Sequence, residues 1–70
     1  MSVENRVRYH RFVRGEISQA ELARKVGVSR QTIVAIEKGN YNPSVELVLR
    51  LSKALAATVE ELFHLQEEEP

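Results

Sequence analysis

The side chains best suited to chemistry lie near the middle of the sequence, where Arg30 and Gln31 stand at the start of a predicted helix. Arginine can donate two parallel hydrogen bonds to guanine, and glutamine can pair in the same bidentate way with the adenine edge. Ile33 and Ile36 mark the inner face of this helix, so the residues that face outward are Arg30, Gln31, Thr32 and Ala35. A small residue such as Ala35 can pack on a thymine methyl group. These residue types favour contact with base edges in the major groove of DNA.

The stretch Ser18–Gly39, SQAELARKVGVSRQTIVAIEKG, predicts two helices joined by a short turn that would hold those side chains outward. Gly27 permits a positive φ at the corner, and Ala23 is small where the helices must approach each other. Val28 places an apolar side chain under the turn, and Ser29 can accept hydrogen bonds from the free amides of the following helix. A turn of this length makes the two helices cross at a steep angle.

The rest of the chain predicts a compact all-α domain of five helices. The first helix is expected from Asn5 to about Arg14, where Gly15 closes it. The later helices are expected to begin at N-cap residues, with capping boxes in the second and fifth. The expected caps are Ser18, Ser29, Ser44 and Thr58. We expect a DNA-binding domain over residues 1–65 and a polar, acidic tail over residues 66–70.

Composition excludes several classes of function. The 70 residues allow one modest core and leave no room for a second domain. There is no cysteine, and His10 and His64 lie far apart, so no metal site is expected. No nucleophile with a base, paired carboxylates or phosphate loop is evident, so we expect no enzyme, cofactor or small-molecule ligand. No apolar run reaches the roughly 18 residues of a membrane span, and no signal peptide is evident, so a cytoplasmic protein without a membrane partner is expected.

Charge is unevenly distributed along the chain although its formal sum is zero. Residues 1–38 contain eight basic and four acidic residues, a balance of +4, whereas residues 39–70 contain two basic and six acidic residues, a balance of −4. A bipolar domain of this kind can present one face to phosphates and turn the other away.

Several positions together carry a resemblance to a known family. They include the glutamine, alanine, glycine and valine-serine of the two-helix stretch, the residues that close its second helix, and an Asn-Pro-Ser entry to the fourth helix. These residues are Gln19, Ala23, Gly27, Val28, Ser29, Ile33, Glu37, Asn42, Pro43 and Ser44. The chain resembles the lambdoid phage repressor and Cro family of helix-turn-helix regulators over Asn5 to Phe63. The resemblance implies sequence-specific binding of double-stranded DNA and regulation of transcription.

The resemblance also implies roles for individual residues. Gln19 should contact a phosphate and orient Gln31, and the loop Gly39–Asn42 should offer backbone amides to the phosphodiester. Arg11 and Glu37 match a family pair that forms a partly buried ion pair. The full set of DNA-binding residues expected on this basis is Gln19, Ser29, Arg30, Gln31, Thr32, Ala35, Lys38 and Asn40.

Three departures from the family pattern bear on the structure. Glu16 is one extra residue between the first two helices, which puts the geometry of that junction in question. His10 stands where leucine is usual and is expected to lie at the edge of the core. Ala56 stands at a cap position where glycine is usual, which costs on the order of 1 kcal/mol if the residue is left-handed.

Relatives bind two half-sites, so a homodimer is expected. The fifth helix offers more apolar residues than one buried face needs, and Leu62, Phe63 and Leu65, with Leu47 as a further candidate, are the expected interface. The alternative is that Leu65 only completes the core.

Two other questions stay open at this stage. The fold could serve as a protein-interaction module, in which case Arg30 and Lys38 would be ordinary solvated charges. Within DNA binding, a free-standing regulator, an antitoxin, a restriction–modification controller and a phage repressor would look alike at this length.

Overall fold

The computed structural model describes residues 2–66 as five helices and two short strands. The helices are α1 (Val7–Val13), α2 (Gln19–Val26), α3 (Arg30–Lys38), α4 (Val45–Leu55) and α5 (Val59–Leu62), and the strands are β1 (Ser2–Asn5) and β2 (Phe63–Gln66). None of the helices within this range is long and apolar enough to cross a membrane.

The four expected N-caps are confirmed. The hydroxyl oxygens of Ser18, Ser29, Ser44 and Thr58 each accept a hydrogen bond from the backbone amide three residues on. The reciprocal capping box is complete at Thr58, where the Glu61 carboxylate accepts from the Thr58 amide at 2.8 Å. These backbone and side-chain hydrogen bonds with Thr58 hold the pKa of Glu61 below its usual range. At Ser18 the structure contains the serine half of the box, with Glu21 N donating to Ser18 Oγ at 3.0 Å.

The junction between α1 and α2 accommodates the extra residue by two successive left-handed residues. Gly15 has a φ of 97° and Glu16 a φ of 57°. The Glu16 amide donates to the Phe12 carbonyl at 3.1 Å, and the Ile17 amide donates to the Arg11 carbonyl at 3.0 Å. The chain therefore folds back on the end of α1, and Ile17 packs against the core before α2 begins.

The core is built from one apolar face of each helix. Its buried members are Val7, Leu22, Ala23, Val26, Ile33, Ile36, Leu47, Leu51, Leu55, Ala57 and Leu62. Leu62 is fully buried and Leu47 is 6% exposed. The expectation that these two leucines belong to a dimer interface is therefore wrong, because their side chains are already covered within one protomer.

The two strands correct the all-α expectation. They form an antiparallel pair, here called the terminal ribbon, in which Val3 lies opposite Leu65 and Asn5 lies opposite Phe63. Phe63 therefore begins a strand instead of continuing α5. Gln66, expected in the tail, is the last residue of β2, and residues 67–70 of that expected tail lie outside the described part of the chain.

Asn5 joins the terminal ribbon to the helices instead of opening α1. Its Nδ2 donates to the Ile36 carbonyl near the end of α3 at 2.8 Å, and its Oδ1 accepts from the Val7 amide at 3.2 Å. His10 lies at the core edge as expected, 9% exposed, with its ring edge-on to that of Tyr9. Within the described chain its Nδ1 has no hydrogen-bond partner.

Candidate nucleic-acid interface

The turn between α2 and α3 has the geometry that its residue types predict. Gly27 is left-handed, with a φ of 77°, and the amides of Gly27 and Val28 both donate to the Ala23 carbonyl. Ala23 is 3% exposed, which is consistent with close approach of the two helices. The short turn therefore holds α3 across α2 and presents the start of α3 outward.

Arg50 supports this corner from α4, a contact for which the sequence carried no local signal. Its Nη1 donates to the Val26 carbonyl at 3.3 Å, and its Nη2 donates to the Glu46 carboxylate. A Cβ atom at Gly27 would lie 3.2 Å from Arg50 Nη1, so a larger residue there would press on this contact. The carbonyl at the end of α2 thus accepts a hydrogen bond from a guanidinium that is distant in sequence.

The outer face of α3 carries most of the expected reading residues. Arg30 and Gln31 are exposed, whereas Ile33 and Ile36 are buried beneath them. Ala35 is half-buried. The first turn of α3 therefore offers one guanidinium and one amide to a partner.

The other members of the expected set differ in how freely they can reach a ligand. Ser29 Oγ lies 3.1 Å from Thr32 Oγ1, so these two hydroxyls hydrogen-bond to each other. Thr32 is half-buried, while Lys38 and Asn40 are exposed at the far end of α3.

A two-bond ion pair ties α1 to α3, as expected. Arg11 Nε donates to Glu37 Oε2 at 2.6 Å, and Arg11 Nη2 donates to Glu37 Oε1 at 3.0 Å. The remaining terminal nitrogen, Nη1, donates to the Ile17 carbonyl at 2.9 Å. The side chains are 13% and 8% exposed, so the pair is largely removed from water.

Gln19 extends this pair to the reading face of α3. Its Nε2 donates to Glu37 Oε1 at 3.0 Å, and its Oε1 accepts from Arg30 Nη2 at 3.2 Å. A carboxylate can only accept, so Glu37 requires the amide nitrogen of Gln19 and leaves the amide oxygen for Arg30. The expectation that Gln19 orients Gln31 is not met in this structure, because the Gln19 side chain contacts Arg30 instead.

The loop after α3 offers fewer free amides than expected. The Gly39 amide donates to the Ile36 carbonyl at 3.0 Å, and the Asn40 amide donates to the Ala35 carbonyl at 2.9 Å. Both amides thus close the end of α3. The Tyr41 and Asn42 amides make no hydrogen bond with any described residue and stay available to a ligand.

Comparison with known proteins identifies relatives that are similar to this chain in sequence. Residues 13–62 match a family model described as Helix-turn-helix. An uncharacterized HTH-type transcriptional regulator of Methanocaldococcus jannaschii is 40% identical over 67 residues, covering 96% of this chain and 100% of the relative. One of Bacillus subtilis is 51% identical over 51 residues, covering 73% of this chain and 77% of the relative.

A solved structure has a similar fold. The restriction-modification controller protein C.AhdI of Aeromonas hydrophila superposes with a TM-score of 0.71 at 33% identity. The match covers 79% of this chain and 82% of the controller chain.

Proposed function

Because the chain belongs to the helix-turn-helix family of Cro- and repressor-like DNA-binding transcriptional regulators, we propose that it recognises a specific duplex site as a homodimer, with α3 in the major groove. The observation that carries this proposal is the first turn of α3. Arg30 and Gln31 are exposed there above a buried Ile33, so both side chains can reach past the helix end. Their donors and acceptors match the edges of guanine and adenine.

Arg30 is the better placed of the two for a base contact. One of its donors is taken by Gln19 Oε1, which restrains the guanidinium, and no other described residue bonds its remaining N–H groups. A restrained guanidinium loses less conformational freedom on binding than a mobile one. Within the described chain the Gln31 side chain has no such partner, so we expect it to lose more conformational freedom on meeting a base.

Contacts with phosphates are proposed on both sides of the first turn of α3. At the start of α2 the Gln19 and Ala20 amides have no hydrogen-bond partner among the described residues, and these amides and the positive end of the helix dipole favour an anion. Beyond the end of α3, Lys38 and the free amides of Tyr41 and Asn42 form a second set of donors. Contacts at the two ends would fix the register of α3 along the groove.

The homodimer is proposed to form through the terminal ribbon. Val3 and Leu65 lie directly opposite each other on the two strands and are 41% and 62% exposed, an apolar pair left uncovered by one protomer. Phe63, on the same strand face, is half-buried and continues this surface toward the core. Two copies joined there would present two reading helices, as binding of half-sites roughly 34 Å apart requires.

Selection of bound sequences from a random duplex library tests the proposal directly. We expect an enriched site with two-fold symmetry and binding that weakens steeply as salt rises. The Gln31→Ala variant serves as a control, because its enriched site should lose preference at one base pair in each half. If no sequence is enriched and binding to duplex DNA does not depend on salt, a protein-interaction role becomes the better account.

A further inference from the structure

An open groove between α1 and α3, here called the α1–α3 groove, concentrates basic residues beside the start of α2. Among the described residues, Arg8, Arg11, Arg30 and Lys38 line it together with a single carboxylate, that of Glu37. Since Arg11 and Glu37 neutralise each other, no described residue supplies an anion to the other three cations of the groove. Like charges brought together raise the local potential and attract an anionic partner.

Arg8 differs from the other arginines of α1 and its end. Arg11 is bonded to Glu37, and Arg14 donates to the Leu55 and Ala56 carbonyls at 2.9 and 3.0 Å. Arg8 is exposed and forms no hydrogen bond or ion pair with any described residue. Its guanidinium therefore does no structural work that would explain its position in the groove.

The location of Arg8 relative to the proposed DNA backbone follows from the hydrogen bonds that link Arg11, Glu37 and Gln19. Arg8 precedes Arg11 by three residues on α1, so the two side chains share one side of that helix. Arg11 is fixed through Glu37 to Gln19 at the start of α2. Arg8 therefore lies one helical turn along α1 from the point where the proposed DNA backbone meets Gln19.

We propose that Arg8 binds the phosphodiester backbone of the same duplex that α3 reads, across the α1–α3 groove from Lys38, whose phosphate contact is already part of the proposed function. The inference rests on the proposed function and extends the DNA-contacting surface to α1. A phosphate backbone fits this groove better than a small anion does, because the cations are spread along an open surface on two helices. Contacts of this type carry no base preference but add to affinity and salt dependence.

Titrations of Arg8→Gln and Lys38→Gln at several salt concentrations test the inference. Each variant should lower the slope of log affinity against log salt by about one unit on matched and random duplexes alike. Lys53→Gln is the matched control, because Lys53 is also exposed and unpaired in the described chain but lies on α4 outside the groove. It should keep the wild-type slope, and thermal unfolding should show that all three variants are folded.

Ethylation interference on the selected site supplies a second readout. The wild type should be blocked by ethylation of a phosphate to which Arg8→Gln has become insensitive, since the variant no longer contacts it. If Arg8→Gln keeps the wild-type slope and interference pattern while the wild type binds DNA, the inference is overturned and the proposed function stands. If the wild type itself shows no salt-dependent binding, the proposed function fails first.

Discussion

Arg11 and Glu37 lie 26 residues apart in sequence and meet through two hydrogen bonds that join α1 to α3. Both side chains are largely buried, so removing one partner would leave the other charge without compensation. The same Glu37 carboxylate holds Gln19. This ion pair thus supports the fold and the reading face together.

Arg11→Met should destabilise the protein by about 3–5 kcal/mol, because it leaves the Glu37 charge buried and unpaired. Arg8→Met is the matched control and should change the melting temperature little, since Arg8 is exposed and unpaired in the described chain. The double variant Arg11→Met with Glu37→Leu should recover part of the loss. Equal melting temperatures for the two single variants would show that the pair contributes nothing.

Arg30→Ala and Gln31→Ala should both show the signature of a lost base contact in DNA titrations. Loss of a good bidentate base contact removes about 1–3 kcal/mol of discrimination at one position, whereas loss of a phosphate contact weakens all sequences alike. We expect each variant to relax preference at one base pair per half-site, with Arg30→Ala the larger effect because Gln19 restrains its guanidinium. Matched and mismatched duplexes at several salt concentrations provide the measurement. A Gln31→Ala variant that binds every duplex as the wild type does would argue against a reading role for Gln31.

Leu65→Glu should disrupt the homodimer, because it places a charge in the apolar Val3–Leu65 pair of the terminal ribbon. Sedimentation velocity should show a dimer for the wild type and a monomer for the variant at the same concentration. Leu49→Glu is the control, because Leu49 is 56% exposed but lies on α4, away from the ribbon. A wild type that stays monomeric at high concentration and on its DNA site is incompatible with the ribbon interface.

Ala56→Gly should stabilise the protein by about 1 kcal/mol, since Ala56 adopts a left-handed conformation with φ 50° and ψ 44° that glycine adopts without strain. For a domain of this size that gain corresponds to a rise of roughly 4–8 °C in melting temperature. Ala54→Gly, in the last turn of α4, should instead cost up to about 1 kcal/mol. A melting temperature for Ala56→Gly below that of the wild type would show that the left-handed backbone of Ala56 does not destabilise the protein.

Most of the helical framework could be predicted because its signals are local. Serine and threonine at the caps and glycine at the ends of α2 and α3 act on amides and carbonyls within one turn of themselves. The same holds for the inward face of α3, which Ile33 and Ile36 define by spacing alone. Such features need no knowledge of what packs against them.

The features that escaped prediction depend on residues distant in sequence. The strands of the terminal ribbon are four residues each and come from opposite ends of the described chain. Neither is long enough to show the alternation of apolar and polar residues by which a strand is predicted. The guanidiniums of Arg14 and Arg50 satisfy carbonyls on other helices. Whether Gln19 meets residue 30 or residue 31 depends on the rotation of α3 against α2, which local spacing leaves undetermined.

The terminal ribbon also bears on the order in which the protein folds. The α2–α3 unit forms contacts between near neighbours in sequence, whereas pairing of Ser2 with Gln66 closes a loop containing nearly the whole described chain. The entropy of closing so long a loop is recovered only when the helices already hold its ends together. We therefore expect the ribbon to form late in folding, so its contacts should act mainly on the rate of unfolding, and a dimer built on it should slow the opening of both protomers.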